Sequence, residues 1–466
     1  MISAPSFSVV ATLVDEGGIC TVTKVSCEGS PRVHITHVGN MANKGTQALL
    51  KSDVSLIREI LGDDVVISVS TADVQGVKRL GLQVDSVLPT LVDIPYEVAD
   101  SYAKRSGYTR SDYRYKVYAM LSFLNMFVQM GLSSFSAVLT RLGVNGFFRK
   151  DLFRYVKDCD VVLSCSDENF KESASLLPIN IYWLLTWWSM LVSKTWKILV
   201  VRSLGKPVVM LPNSFGPFRT TIGRLLSRMA LNNCCVVLIR DRRSYQIARD
   251  MGIKAPMVVT SDTALLFDGS SSSSNFGAGV VGVCPGLYSH SVSGEKMMNY
   301  VVAHAEALDR VIERLGVSVV FLPHYVSGFK YDDLEISQMI RSRMRYSDMV
   351  RVLNLDSLEE FKSWIGSVDL LVSSKMHPCV LATSSYVPSL CIAYDHKQTG
   401  FFSSLDMDED VISLQQVNSN VLYEKIVDLW GRRDERRRFL ESKVPSLQRH
   451  VRESVAMALR FALDKS

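Results

Sequence analysis

Short runs of β-branched and other apolar residues recur along this chain, each followed by a longer stretch with apolar positions every three or four residues. Val33–Val38, Val65–Val69, Asp160–Ser164, Pro207–Leu211, Val236–Arg240 and Met257–Thr260 read as strands of a first series. Leu49, Leu50, Ile57 and Ile60 make the apolar face of a helix from about Thr46 to Leu61. A second series holds the strands Val280–Cys284, Val317–Leu322, Asp369–Ser373 and Pro388–Tyr394, with helices near Lys296–Leu315 and Leu334–Arg345. Near-continuous apolar strands separated by helices indicate parallel sheets covered on both faces. Between the two series lies Gly269–Asn275, a serine run suited to a connector. The pattern predicts an α/β protein of two doubly wound sheets facing a cleft. Its expected parts are an extension over 1–30, a first domain over 31–268, a linker over 269–279 and a second domain over 280–440. A helix from Ser446 to Leu463, within a last segment over 441–466, is expected to cross back over the cleft.

An apolar helical insertion, about 110–202, interrupts the first series. Val117–Thr140 carries no charge, but serines, Asn125 and Gln129 break it up. Ile179–Val192 is strongly apolar yet shorter than the roughly 20 residues a span requires. Both are expected to form a hydrophobic face on the first domain, with peripheral membrane contact rather than insertion. The start of the chain lacks the pattern of a secretory signal. The nine cysteines are odd in number, widely spaced and free of any CxxC pair, so neither a disulfide framework nor a zinc site is indicated. A cytoplasmic protein is expected, with the inner face of the plasma membrane as the place of any contact. The net charge of +5 over 466 residues does not indicate a nucleic-acid partner.

The candidate chemistry gathers at predicted strand ends. Lys375 and His377 follow the strand Asp369–Ser373, and Pro378 suits the first turn of the helix behind them. A cation and a titratable imidazole at a helix N-terminus suit proton transfer on an anionic substrate, although a histidine there can also simply cap or pack. Arg240 ends another strand, where it can clamp a phosphate or carboxylate, or pair with Asp241 or another nearby acid. His324 and His37 end further strands. The turn Gly39-Asn-Met-Ala-Asn-Lys-Gly45 lacks the order of a Walker loop and the GxGxxG fingerprint, but its amides can line a cleft. No HExxH, GxSxG or aspartate cluster occurs, so no metal site is predicted.

Taken in order, six segments resemble the polysaccharide pyruvyl transferase family. They are Gly39-Asn…Asn43–Leu49, Gly205–Val209…Asn213–Phe218, Ile239–Ser244, Met251–Ile253…Ser261–Ala264, Ser374–His377 and Ile392–Lys397…Gly400-Phe401. The resemblance runs from about Val33 to Leu405 and implies a GT-B-like pair of Rossmann-like domains. It further implies a transferase that moves the pyruvyl group of phosphoenolpyruvate onto a sugar as a ketal, in a cell-surface polysaccharide or its lipid-linked precursor. Phosphoenolpyruvate enters as donor substrate, without a cofactor.

By the same resemblance His377 is the acid–base residue, and Arg240, Lys375 and Met376 bind phosphoenolpyruvate. Asn40, Asn43, Gly45, Ser214 and Lys397 within those segments, and His324 at its own strand end, are candidates to line the cleft or meet the acceptor. Two departures from the family pattern stand out: lysine in place of arginine at Lys375, and Ser164-Cys-Ser-Asp-Glu168 in place of a glycine-rich turn. Two other readings compete. One is a GT-B glycosyltransferase using a nucleotide sugar; the other is a non-catalytic family member that binds a glycan or a partner protein. The acceptor sugar and the oligomeric state are left open.

Overall fold

The computed structural model describes residues 12–15, 18–21, 30–106, 112–144, 146–172, 181–269, 279–287, 294–326 and 331–465. Most of the 1–30 extension and the serine run of the linker lie outside the described residues. Two parallel sheets form the frame. Across the first run Met257–Val259, Val236–Ile239, Val208–Phe215, Val161–Ser164, Arg32–Val38, Val66–Thr71 and Ser86–Pro89. The short strand Asp167–Phe170 also pairs with Val208–Phe215. Across the second run Val350–Val352, Ser318–Phe321, Val280–Cys284, Leu370–Ser373, Ser389–Ala393 and Val411–Ser413.

Each sheet starts near its middle, grows outward on one side, then returns to grow on the other. The direction reverses between Arg32–Val38 and Val161–Ser164 in the first sheet, and between Val280–Cys284 and Leu370–Ser373 in the second. Loops part at such a reversal and leave a crevice beyond the carboxyl ends of the strands. Here the two crevices face each other. The helix Lys44–Leu61 of the first half packs Ala48 and Leu49 into one core with Phe361, Val380 and Leu381 of the second.

The final helix, Arg433–Leu463, starts well before Ser446 and runs through Pro445. Leu440 and Val444 join the core of the second half, whereas Val451, Val455, Leu459 and Ala462 join that of the first. Proline disfavours the helical turn before it, so the sequence pattern places the helix start beyond Pro445. Packing on both sides of Pro445 outweighs that preference here.

The insertion differs from expectation in one respect. Tyr113–Arg141 is a long helix with many exposed apolar side chains, but Ile181–Ser203 turns inward where its side chains are described: from Thr186 to Val201 every residue is buried or half-buried, Met190 and Leu191 among the buried ones. Tyr113–Arg141 and Thr221–Asn232 both pack against it, and the first half of the expected face, 179–185, lies outside the described side chains.

Candidate functional site

The site is built where the two reversal points meet. Asn43 caps the helix Lys44–Leu61, its side chain accepting a hydrogen bond from Gly45 N at 2.9 Å. It also forms an isolated antiparallel bridge to Tyr325, beside the strand end that carries His324. Gly45 lets this helix abut His377, because a β-carbon there would overlap the imidazole. His377 is the second residue of the helix Met376–Ser384, and its ring lies nearly parallel to that of His324 with centroids 6.3 Å apart. Both histidines are buried.

Two groups of charges flank this pair. In the first half, Arg240 donates from Nη1 to Asp262 Oδ2 at 2.8 Å and from Nε to Ser214 Oγ at 2.7 Å. Ser214 Oγ passes the interaction on to Asp241 Oδ2 at 2.7 Å. Lys397, reaching over from the second half, donates to Glu168 Oε2 at 2.7 Å, and Lys171 binds the same oxygen. Asp167 is buried, which pushes its pKa up, but Lys194, Arg240, His377 and Lys397 outweigh burial and hold it below the usual carboxylate range.

In the second half, Lys375 Nζ lies 3.2 Å from Asp333 Oδ1. Its side chain crosses Gly286, at the end of Val280–Cys284, where a β-carbon would collide with it. Lys44 is also buried here, with its ammonium 5.4 Å from the centre of the Phe361 ring. Burial lowers the Lys44 pKa, while Asp333, Cys284, Asp356 and Glu360 oppose that shift.

Arg240 and Lys375 therefore hold separate acids. Arg240 and Lys397 act on His377, whereas Lys375 and Lys44 act on His324. Burial dominates at both imidazoles: it lowers the His377 pKa to about 4 and that of His324 well below the usual value. Both rings are neutral near pH 7. Against His377, Asp262 and Asp167 pull the pKa back up.

Several polar atoms in this cluster are buried without a protein hydrogen-bond partner. They include Nε2 of His377, both ring nitrogens of His324, Nη2 of Arg240 and Oε1 of Glu168. A buried polar atom left unpaired is costly, so a concentration of them between charged groups marks a place built to receive a polar ligand. Among the described residues no group of three or more His, Cys, Asp or Glu is arranged to hold a metal ion.

The other candidates divide. Met376 contributes its side chain to the apolar core, which leaves its backbone N–H at the helix start as the part that could meet a ligand. Asn40 is exposed in the turn, where Oδ1 accepts from Ala42 N. Ser214 is fully committed between Arg240 and Asp241, and so positions the arginine. His37 is engaged at both nitrogens, by Ser164 Oγ at 2.8 Å and the Lys194 carbonyl at 3.0 Å. It serves the strand end structurally. The Ser164–Glu168 segment turns into the strand Asp167–Phe170 instead of forming a glycine loop. Asp53 anchors it, accepting from Ser166 N at 2.9 Å and Ser166 Oγ at 2.8 Å.

Sequence reasoning missed Lys44, Asp262, Asp333 and Asp53. Lys44 was legible inside the Gly39–Gly45 turn, but comparison with phosphate loops set it aside.

Comparison with known proteins bears on the whole arrangement. The sequence profile of the polysaccharide pyruvyl transferase family matches residues 43–396. The amylovoran biosynthesis protein AmsJ of Erwinia amylovora is 23% identical over 270 residues, 51% of this chain. The match covers 64% of that relative's length. Among solved structures, S. aureus MnaA with UDP superposes with a TM-score of 0.55 at 10% identity, covering 94% of this chain and 98% of that one. The UDP-GlcNAc 2-epimerase of Neisseria meningitidis, bound to UDP-GlcNAc, gives 0.51 at 9% identity over 93% and 100%. HepE of Anabaena, in complex with UDP-glucose, gives 0.50 at 12% identity over 91% and 99%. Likeness at such low identity establishes the GT-B arrangement of two Rossmann-like units and nothing about the substrate.

Proposed function

The chain belongs to the polysaccharide pyruvyl transferase family, and we propose that it transfers the pyruvyl group of phosphoenolpyruvate to two hydroxyls of a sugar, closing a cyclic ketal. The observation that carries this reading is the buried, unpaired Nε2 of His377 between the Arg240–Lys397 and Lys375–Lys44 groups. Phosphoenolpyruvate brings a phosphate and a carboxylate, and cations on either side of an imidazole suit both. The acceptor is a glycan of a polysaccharide or its lipid-linked precursor, consistent with a relative named for amylovoran biosynthesis. Buried free thiols such as Cys165, Cys284 and Cys391 suit the reducing cytoplasm.

In the free protein His377 is neutral. The anions of the donor favour the imidazolium, so donor binding draws a proton onto Nε2. The imidazolium protonates the methylene carbon of phosphoenolpyruvate and leaves an oxocarbenium-like centre at C2. The first sugar hydroxyl attacks C2 and returns its proton to His377. The C2–phosphate bond breaks, the second hydroxyl closes the ring, and its proton departs with the phosphate. Arg240 and the backbone amides at the starts of Lys44–Leu61 and Met376–Ser384 stabilise the anions throughout.

The test is incubation with phosphoenolpyruvate and a panel of lipid-linked or nitrophenyl sugars, reading phosphate release and the mass of the pyruvyl ketal. His377→Gln should lose roughly 10²–10⁴-fold in turnover while donor affinity changes much less. Release of a nucleoside diphosphate from sugar nucleotides, without phosphate from phosphoenolpyruvate, would identify a glycosyltransferase instead. Near wild-type turnover in His377→Gln with a dead His324→Gln would move the proton transfer to His324. The pairing of Lys375 with Asp333 favours a second reading, a non-catalytic glycan- or partner-binding member. Donor binding without turnover would support it.

A further inference from the structure

The helix Tyr113–Arg141 is apolar on its outer side as well as its inner one. Its protein-facing side buries Met126 and Ala137 in the core together with the polar Gln129, Ser133, Ser136 and Thr140. Gln129 exchanges two hydrogen bonds with Asp93, donating to Oδ2 at 2.9 Å and accepting from the backbone N at 2.8 Å. Ser133 Oγ accepts from Trp196 Nε1 at 3.0 Å, and Ser136 Oγ from Phe148 N at 3.3 Å. Its outer side is apolar. Met120, Leu121, Leu124, Phe127, Val128 and Phe135 are each at least 50% exposed. Their spacing places them in one stripe along the helix, and Phe147, 61% exposed, extends it with its ring 5.9 Å from that of Phe135.

The charges within the segment have one sign, with Asp112 and Asp151 just outside it. From Tyr113 to Lys150 there is no Asp or Glu, whereas Arg114 and Lys116 stand at one end and Arg141, Arg149 and Lys150 at the other. Arg114, Lys116, Arg141 and Lys150 are exposed, and Arg149 is drawn to Asp93. A surface that is apolar along its length and basic at both ends complements an anionic lipid surface, where acyl chains take the stripe and headgroups take the cations. A second copy fits less well, since a two-fold contact along the stripe would bring basic ends together.

The helix is also long and apolar enough to cross a membrane. Crossing would strip it from Pro95–Ser106 and Ile181–Ser203, on which it packs, and would unpair Gln129 and Ser133. We propose that Tyr113–Arg141 seats the protein on an anionic membrane, lying in the plane of the interface with its stripe among the acyl chains. This inference does not depend on the transfer chemistry.

The experiment is co-sedimentation of the full chain with vesicles of phosphatidylcholine alone and of phosphatidylcholine mixed with phosphatidylglycerol. Binding to the mixed vesicles is expected, weaker at high salt and reversed by carbonate. The combined variant Leu121→Gln/Leu124→Gln/Val128→Gln changes only exposed side chains, so its melting temperature should hold. Its partition into mixed vesicles should fall about tenfold or more. Failure of the wild-type chain to bind either vesicle overturns the proposal. So does resistance to carbonate with release only by detergent, which marks a span. A dimer that the triple variant converts to monomer, without lipid binding, assigns the stripe to a second copy and overturns it too.

Discussion

The imidazole of His377 lies where a β-carbon on Gly45 would have to sit. The two residues come from opposite halves of the molecule, so the fit couples the closure of the cleft to the identity of one backbone position. Gly45→Ala should push the ring or the helix start aside. A misplacement on the order of 1 Å in such a site can cost roughly 10²-fold in turnover. Overpacking of this kind costs ~1–3 kcal/mol in stability. Steady-state kinetics with thermal denaturation checks both, and unchanged turnover would show that the ring position is not critical.

Arg240 and Asp262 form a pair in which both side chains are 1% exposed. Arg240→Met should destabilise the fold by ~3–5 kcal/mol, because it strands the carboxylate. Adding Asp262→Leu should recover most of that loss without restoring activity. Urea denaturation and phosphoenolpyruvate titration on the double variant then separate the arginine's structural role from donor binding. A stable double variant with wild-type donor affinity would remove Arg240 from the donor site.

Lys375 offers a complementary test. Its ammonium meets Asp333, and a guanidinium there could bond the same carboxylate and still present a second edge to the donor. Lys375→Arg should retain or improve phosphoenolpyruvate affinity, read by calorimetry. A loss of affinity of tenfold or more, roughly 1.4 kcal/mol, would mean that the space beside Gly286 is shaped for lysine.

The buried histidines make acid stability predictable. Burial lowers the pKa of His34 to about 3 and of His304 and His377 to about 4. Below an unfolded value near 6.5 the unfolded chain takes up protons that these rings refuse, so stability falls as pH drops from about 6.5 towards 4. Each contributes on the order of 3 kcal/mol over that window. Asp53, raised to about 6 by burial, works in the opposite direction and offsets about one of them. The urea midpoint should therefore fall between pH 7 and pH 5. His304→Gln should flatten that slope by up to ~1.4 kcal/mol per pH unit. A midpoint that rises on acidification would contradict the assigned burial.

The centre of the fold was legible because strands buried on both faces must be apolar throughout, as Val161–Ser164, Val236–Ile239 and Leu370–Ser373 are. Edge strands lack that constraint. Val350–Val352 and Val411–Ser413 are three residues each and partly exposed, and Asp167–Phe170 reads Asp-Glu-Asn-Phe, with no alternation to betray a strand. At the site, His377, Lys375 and Arg240 were legible because each follows an apolar strand. Their partners were not. Arg240 meets Asp262 across 22 positions and Lys375 meets Asp333 from another helix, and such pairings leave no local pattern. The uncharged run Val117–Thr140, by contrast, announced the outward hydrophobic face that Tyr113–Arg141 carries.

The helix Arg433–Leu463 has a mechanical consequence for substrate exchange. It is clamped to the second half before Pro445 and to the first half after it. The halves cannot part as independent bodies without bending this rod or tearing one end of it loose. Bending costs least at Pro445, where the ring has already removed the amide that would bond to the carbonyl of Glu441. An opening stroke large enough to admit a glycan would thus pivot on this residue, and the closed position would be restored by a spring attached at both ends.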